Sequence, residues 1–200
     1  MEAFSDGVFA IVITLLVLEI HVPEISSELA QTELPHQLMA LLPKVISYIT
    51  SFLMIGIYWV AHHNLFRLLQ RCDRALLWLN LIFLMCLAFI PFPTALIGEY
   101  AQSTLAVALY GGVLLVSAIA FNLMWWYVSH HYRLLDRSIA PHLVRTMTRD
   151  YLAGIGLYAF AFFLAFLNAH ISIAIYLLTP ILFIFFNSRS TANIVIPSEP

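Results

Sequence analysis

From Ala75 to Ile97 the chain runs through 23 residues without one charged side chain. A helix needs about 20 apolar residues to cross the hydrocarbon of a bilayer. In lipid a helix also satisfies its own backbone, which irregular chain cannot do. This stretch therefore constrains the molecule to a membrane-embedded helical fold. The rest of the sequence agrees: of 200 residues, 62% are hydrophobic and 10% charged, with a mean hydropathy of +0.91. A soluble domain carries about 25% charged residues, so too little polar surface exists here to cover a globule in water.

Six apolar segments are predicted, at about 4–22, 43–62, 75–97, 104–129, 151–168 and 171–187. Together they form one six-helix transmembrane domain over 1–187, followed by a short, loose C-terminal tail, 188–200. The first segment is not read as a secretory signal. It opens Met1-Glu2-Ala3, acidic where a signal is basic, and later segments are equally apolar. Pro43 suits the first turn of the second helix. Pro91 and Pro93 predict a kink or end in the third. A polar stretch from Pro23 to Leu42 separates the first two helices, and a tight turn near Asn168 and His170 separates the last two.

Basic residues orient the bundle. Arg67, Arg71 and Arg74 lie between segments two and three; Arg133, Arg137, Arg145 and Arg149 lie between four and five; Arg189 follows six. The other connections and their flanks hold Lys44 alone, beside Glu24, Glu28, Glu33 and Glu99. Positive charge prefers the cytoplasmic side, which places both termini inside. Net charge is −2, so no basic field suggests nucleic acid. Cys72 and Cys86 imply no disulfide framework, and there is no phosphate-binding loop, dinucleotide turn or paired-cysteine zinc spacing.

In the first segment Gly7, Ile11, Thr14 and Leu18 fall within an arc of about 60° at 100° per residue. The stripe suits helix packing or the wall of a narrow hole. Thr14 can bond its own i−4 carbonyl or face a neighbour. Ser5 or Asp6 can cap the helix. Alternatively, Asp6 sits partly within the bundle and needs partners, for which His62, His63, Asn64 and Asn80 are at hand on the same side. Gly111-Gly112 and the Gly154, Gly156 pair read as close helix packing, and Asn122 as a polar group bonding a neighbour. The pairs His62-His63 and His130-His131 invite a metal or haem reading. Adjacent histidines point about 100° apart on a helix, so one pair rarely supplies two ligands to one ion. A proton-coupled carrier would need broken helices and a midplane ionisable site, whereas the ionisable groups here lie near helix ends.

Several of these residues together carry a resemblance. Phe4-Ser5-Asp6 with the run Gly7 to Leu18, the Tyr58-Trp59…His62-His63-x-Leu65-Phe66 end of the second helix, and Leu79-Asn80 with Pro91-Phe92-Pro93 in the third resemble the transmembrane protein 175 family of potassium channels. That family is lysosomal in animals and has prokaryotic members with one six-span repeat per chain, so the resemblance implies a prokaryotic plasma membrane as the location. The motifs cover the first three helices; the last three match in length, number and topology. The resemblance implies an all-α homotetramer in the lipid bilayer, with four copies of the first helix around a central pore. It implies no enzyme activity and no cofactor, with potassium ions as the permeant. It assigns the pore-lining positions to Ile11, Thr14, Leu15 and Leu18: Ile11 as the constriction nearest the cytoplasm, Thr14 as a hydroxyl ring with transient potassium beside it, Leu18 as a further apolar ring. It implies a structural polar network of Phe4, Ser5, Asp6, His62, His63 and Asn80. Ala10 stands where some members have a serine, and the arginine that members usually carry four residues before the phenylalanine falls before Met1.

Overall fold

A computed structural model describes the backbone of residues 1–191 and the side chains through Phe183. Every regular element among them is helical. The chain forms α1 (Glu2–Leu15), a 3-10 turn (Leu16–Glu19), α2 (Ala30–Ala40), α3 (Leu42–Arg67), α4 (Arg74–Ala88), α5 (Pro91–Glu99), α6 (Thr104–Ser129), a second 3-10 turn (His130–Tyr132), α7 (Pro141–Ala165) and α8 (Ala169–Thr191). Three stretches are long and apolar enough to cross a membrane: α3, the α4–α5 pair, and α6 with its following turn. The protein is an integral membrane protein.

The element limits follow from local chemistry. Pro91 lacks an N–H, so the ladder tightens before it: Ile90 N–H donates to Leu87 O at 3.0 Å, an i−3 bond. The apolar run therefore divides into α4 and α5 at Phe89-Ile90, where the prolines predicted a break. At the start of α4, Asp73 caps the helix by accepting from Leu76 N–H at 2.9 Å. Pro43 lies in the first turn of α3. That helix continues five residues past the predicted end at 62, since nothing in its polar tail breaks it. Likewise α7 begins at Pro141, ten residues before the predicted 151, because its first turns are polar on one side and packed on the other. In the predicted polar linker, α2 forms despite Pro35, with no buried residue. The helix α8 runs to Thr191, past the predicted end at 187; of the predicted tail, 192–200 lies outside the described residues, as do the side chains of 184–191.

One core fills the bundle, from Phe9 and Val12 on α1 and Leu16 in the turn after it to Tyr158, Ala161 and Tyr176 on the last helices. Side-chain ties fix how the helices pair end to end. Lys44 on α3 forms an ion pair with Glu99 on α5 at one end. At the other, Tyr127 on α6 donates to Asp73 at 2.6 Å and Trp125 donates to Thr148 on α7 at 2.9 Å. Ser172 on α8 donates to Ala161 O of α7 at 2.9 Å, and Asn122 donates to Tyr151 O of α7 at 3.2 Å. Between α3, α5 and α6, the Ser51 hydroxyl lies 3.0 Å from Tyr110 Oη and 2.8 Å from Thr94 Oγ1. Glycine admits the closest approach at Gly111, where a Cβ would stand 1.8 Å from the Tyr176 hydroxyl. The other glycine readings divide: a Cβ on Gly112 would lie in ordinary contact with Phe162, whereas Gly156 faces open space and packs against nothing.

The two arginine-bearing loops join each other. Gln70 N–H donates to Leu134 O at 3.0 Å and Asp136 N–H to Leu68 O at 3.1 Å, which pairs Leu69 with Leu135 in a short antiparallel bridge. Arg71 donates to Arg133 O at 3.2 Å, and the Arg133 guanidinium sits 4.4 Å from the Tyr127 ring centre.

Candidate functional site

The site is α1 and what holds it. Its two faces differ. Ser5, Phe9 and Val12 are buried, with Leu16 continuing the face into the 3-10 turn. They pack on α3 and α4. On the buried face a directed chain of hydrogen bonds crosses three helices. His62 Nε2–H donates to Asn80 Oδ1 at 2.8 Å. The Asn80 amide donates to Ser5 Oγ at 3.0 Å, and the Ser5 hydroxyl donates to Met1 O at 3.2 Å. Each step uses a donor on one group and an acceptor on the next, so the neutral imidazole keeps its proton on Nε2. His62 Nδ1 is buried without a partner. Aromatic rings sheathe the imidazole: Phe66 stacks on it at 4.3 Å, Phe83 lies parallel at 6.1 Å, and Phe9 meets it edge-on at 5.4 Å. A neutral ring tolerates such walls; a charged one would lose its hydration there.

The chain brings together Ser5, His62 and Asn80, but not the whole predicted set. Asp6 accepts instead from Trp59 Nε1–H at 2.8 Å, at the exposed edge of the bundle. One residue beyond Ser5, it stands about 100° round the helix and cannot face the same partners. His63 Nδ1 lies 2.9 Å from Glu2 Oε1, without the alignment of a hydrogen bond. Phe4 is exposed and lies outside the polar chain. The helix starts at Glu2 with no side-chain cap. Ser5 is therefore not a cap but a buried link within the first turns. Trp59 and Phe66 were read from the sequence only as part of the motif that ends the second helix; their contacts with Asp6 and His62, and the place of Phe9 and Phe83 in the sheath, were not foreseen. The signal for Trp59 was its place three and four residues before the two histidines, on the turn below them.

The opposite face of α1 has no partner among the described residues. Ile11 is 60% exposed and Leu18 65%. Thr14 and Leu15 are exposed with them, and Gly7 has open space before it. The Thr14 hydroxyl lies 2.9 Å from both Ala10 O and Ile11 O. It spends its proton on its own helix, which leaves the oxygen lone pairs to the exposed side. Leu18 falls in the 3-10 turn rather than in α1. There the angular step widens from about 100° to about 120°, so the stripe ends on a different pitch from the one predicted. At its outer end His21 Nδ1 lies 3.2 Å from Glu19 O. The pair His130-His131 stands at the far side of the bundle, its rings 4.2 Å apart. Among the described residues no three of His, Cys, Asp and Glu gather as metal ligands would.

Comparison with known proteins shows the family. The sequence profile of the family described as endosomal/lysosomal potassium channel TMEM175 matches residues 1–91. A potassium channel of Chamaesiphon minutus is 42% identical over 196 residues, covering 96% of this chain and 94% of that one. A potassium channel of Streptomyces collinus is 42% identical over 179 residues, covering 87% of this chain and 85% of its own. The crystal structure of a lysosomal potassium-selective channel TMEM175 homolog from Chamaesiphon minutus superposes with a TM-score of 0.82 at 40% identity, covering 94% of this chain and 95% of that chain. The chain belongs to the TMEM175 family.

Proposed function

We propose that this chain is the subunit of a potassium-preferring cation channel, a homotetramer whose four α1 helices line a central pore. The observation that carries this reading is the division of α1: one face tied to α3 and α4, the other bare along Ile11, Thr14, Leu15 and Leu18. The relatives' description as potassium channels supports the permeant. Six spans per subunit follow from adding α1 with its 3-10 turn, α7 and α8 to the three longer stretches. Both termini then lie in the cytoplasm of a prokaryotic cell, on the side of the arginine-bearing loops.

The mechanism is passive. Four Ile11 side chains around one axis narrow the pore with methyl groups and close it by dewetting, without a charged plug. Four Thr14 oxygens, their protons already committed to the helix, offer lone pairs that replace part of an ion's hydration shell. Such a ring discriminates weakly compared with a cage of backbone carbonyls. Ala10 adds no second hydroxyl ring. The Ser5–Asn80–His62 chain keeps the base of α1 seated on its subunit while the free face meets its copies.

Ion flux into liposomes tests the reading. Ile11→Ala should raise flux several-fold by widening the apolar ring. Thr14→Ala should move the potassium-to-sodium ratio toward unity with flux retained. If neither substitution changed flux or the ratio, α1 would not line the ion path.

A further inference from the structure

Among the described residues, one face of α7 is bare from end to end, and its chemistry changes along its length. His142, Arg145, Arg149, Leu152, Gly156, Phe160 and Phe163 fall within an arc of about 80° at 100° per residue, and all are exposed. The first three are basic or titratable; from Leu152 on the face is apolar. The change of character has an independent depth marker on the neighbouring helix. Trp125 donates to Thr148 of α7 at 2.9 Å, which sets the Trp125-Trp126 pair of α6 level with Arg145 and Arg149. Trp126 is exposed, and an exposed tryptophan at the end of an apolar helix marks the headgroup level of a bilayer. The two guanidiniums thus stand at headgroup depth, directly above a lipid-facing stripe.

They are also free to take a ligand. Arg71 and Arg133 are engaged in joining the two loops. Arg145 has no ion-pair partner among the described side chains. Arg149 has only its neighbour Asp150, with Nε 3.5 Å from Oδ1, an exposed contact of little worth. At i and i+4 the two arginines share a side of the helix, one turn apart, and can close on a phosphate from both sides.

We propose that this face binds an anionic phospholipid, its phosphate held between Arg145 and Arg149 and its acyl chain lying along Leu152, Phe160 and Phe163. The proposal rests on the six-span reading, in which α7 crosses the membrane. Charge complementarity selects the occupant: an uncharged lipid would satisfy the apolar stripe but leave both guanidiniums without a counter-charge, and a partner helix lacking an acidic residue at that depth would do the same.

Native mass spectrometry of the full-length protein, released from detergent with phosphatidylglycerol or phosphatidylcholine added, tests it. The parent should retain phosphatidylglycerol in preference. R145Q/R149Q should lose that preference by on the order of tenfold, given what each basic residue contributes at an anionic surface. R67Q/R74Q, which removes equal charge from the same end of the bundle, should keep it. R145K/R149K, read on its size-exclusion peak, separates lost charge from lost fold and should keep most of the binding. Equal retention of both lipids by the parent, or undiminished phosphatidylglycerol binding in R145Q/R149Q, overturns the proposal. The six-span reading fails separately: F163C in a C72S/C86S background would then react with a water-soluble maleimide in proteoliposomes, whereas a lipid-facing position stays unreactive.

Discussion

The two faces of α1 are built on opposite terms. On one, each group has its complement inside the subunit: Ser5 its amide from Asn80, Phe9 its rings on α3 and α4, 5.4 Å from His62 and 6.2 Å from Phe83. On the other, Phe4, Ile11, Leu15 and Leu18 stay exposed among the described residues. Exposure alone does not demand a protein partner in a bilayer, because lipid tails are as apolar as leucine. What separates the α1 stripe from that of α7 is Thr14, an oxygen at mid-helix for which lipid offers nothing. A subunit thus completes the seat of α1 by itself.

The comparison breaks first on stability. Phe83 is the ring that the seat shares most widely, meeting Phe9, Tyr58, His62 and Phe121 with centres 6.2, 5.7, 6.1 and 5.4 Å away. Phe83→Ala should cost about 3–5 kcal/mol, read by denaturant unfolding in detergent. Asn80→Ala should cost less, about 1–3 kcal/mol, by leaving the His62 N–H without its acceptor and the Ser5 oxygen without its donor in a dry interior. Ile11→Ala should stay within about 0.5 kcal/mol of the parent subunit even as flux changes. Equal losses from Ile11→Ala and Phe83→Ala would erase the distinction between the faces.

How far this was legible differs by residue. Asn80 could be read as a link because it interrupts an apolar run, where a polar group needs a partner, and His62 because it stands at a polar helix end on the same side; Ser5 suited a cap and joined the network only through the resemblance. The departure of Asp6 to Trp59 could not be read, since it depends on the rotation of α1 about its axis, which a 100° difference between neighbours decides. The break at Phe89-Ile90 was legible because proline acts through its own missing N–H. Helix α2 was not: it buries nothing and contains Pro35, so neither periodicity nor hydropathy announces it. The extra turns of α7 escaped for a related reason. Arg145 and Arg149 lower the local hydropathy, although Trp125 and Val144 hold that part of the helix to the core. The joining of the two loops through Leu69 and Leu135 depends on contacts 66 residues apart in sequence, which no local pattern encodes.

The smallest expected effect sharpens the contrast by pH. Asn80 stands on α4, and α4 begins at Asp73. The Tyr127 hydroxyl, and then the Leu76 amide, hold the Asp73 carboxyl below the usual carboxylate range. A group whose folded-state pKa is depressed contributes stability that is fully present above its unfolded value, about 3.9, and that is lost as the pH falls through the folded value. The parent should therefore lose part of the roughly 1 kcal/mol that an N-cap contributes as the pH is lowered below about 4. Asp73→Asn keeps an oxygen to accept from Leu76 but has no charge to titrate, so its unfolding midpoint should change less over that window. The difference between parent and variant cancels the other carboxylates, which titrate in both. The stripe of Ile11, Thr14, Leu15 and Leu18 contains no titratable group, so Ile11→Ala should track the parent across the same window. Should the parent and Asp73→Asn respond to acid alike, the Tyr127 contact would contribute nothing to the footing on which α4, and with it the seat of α1, is built.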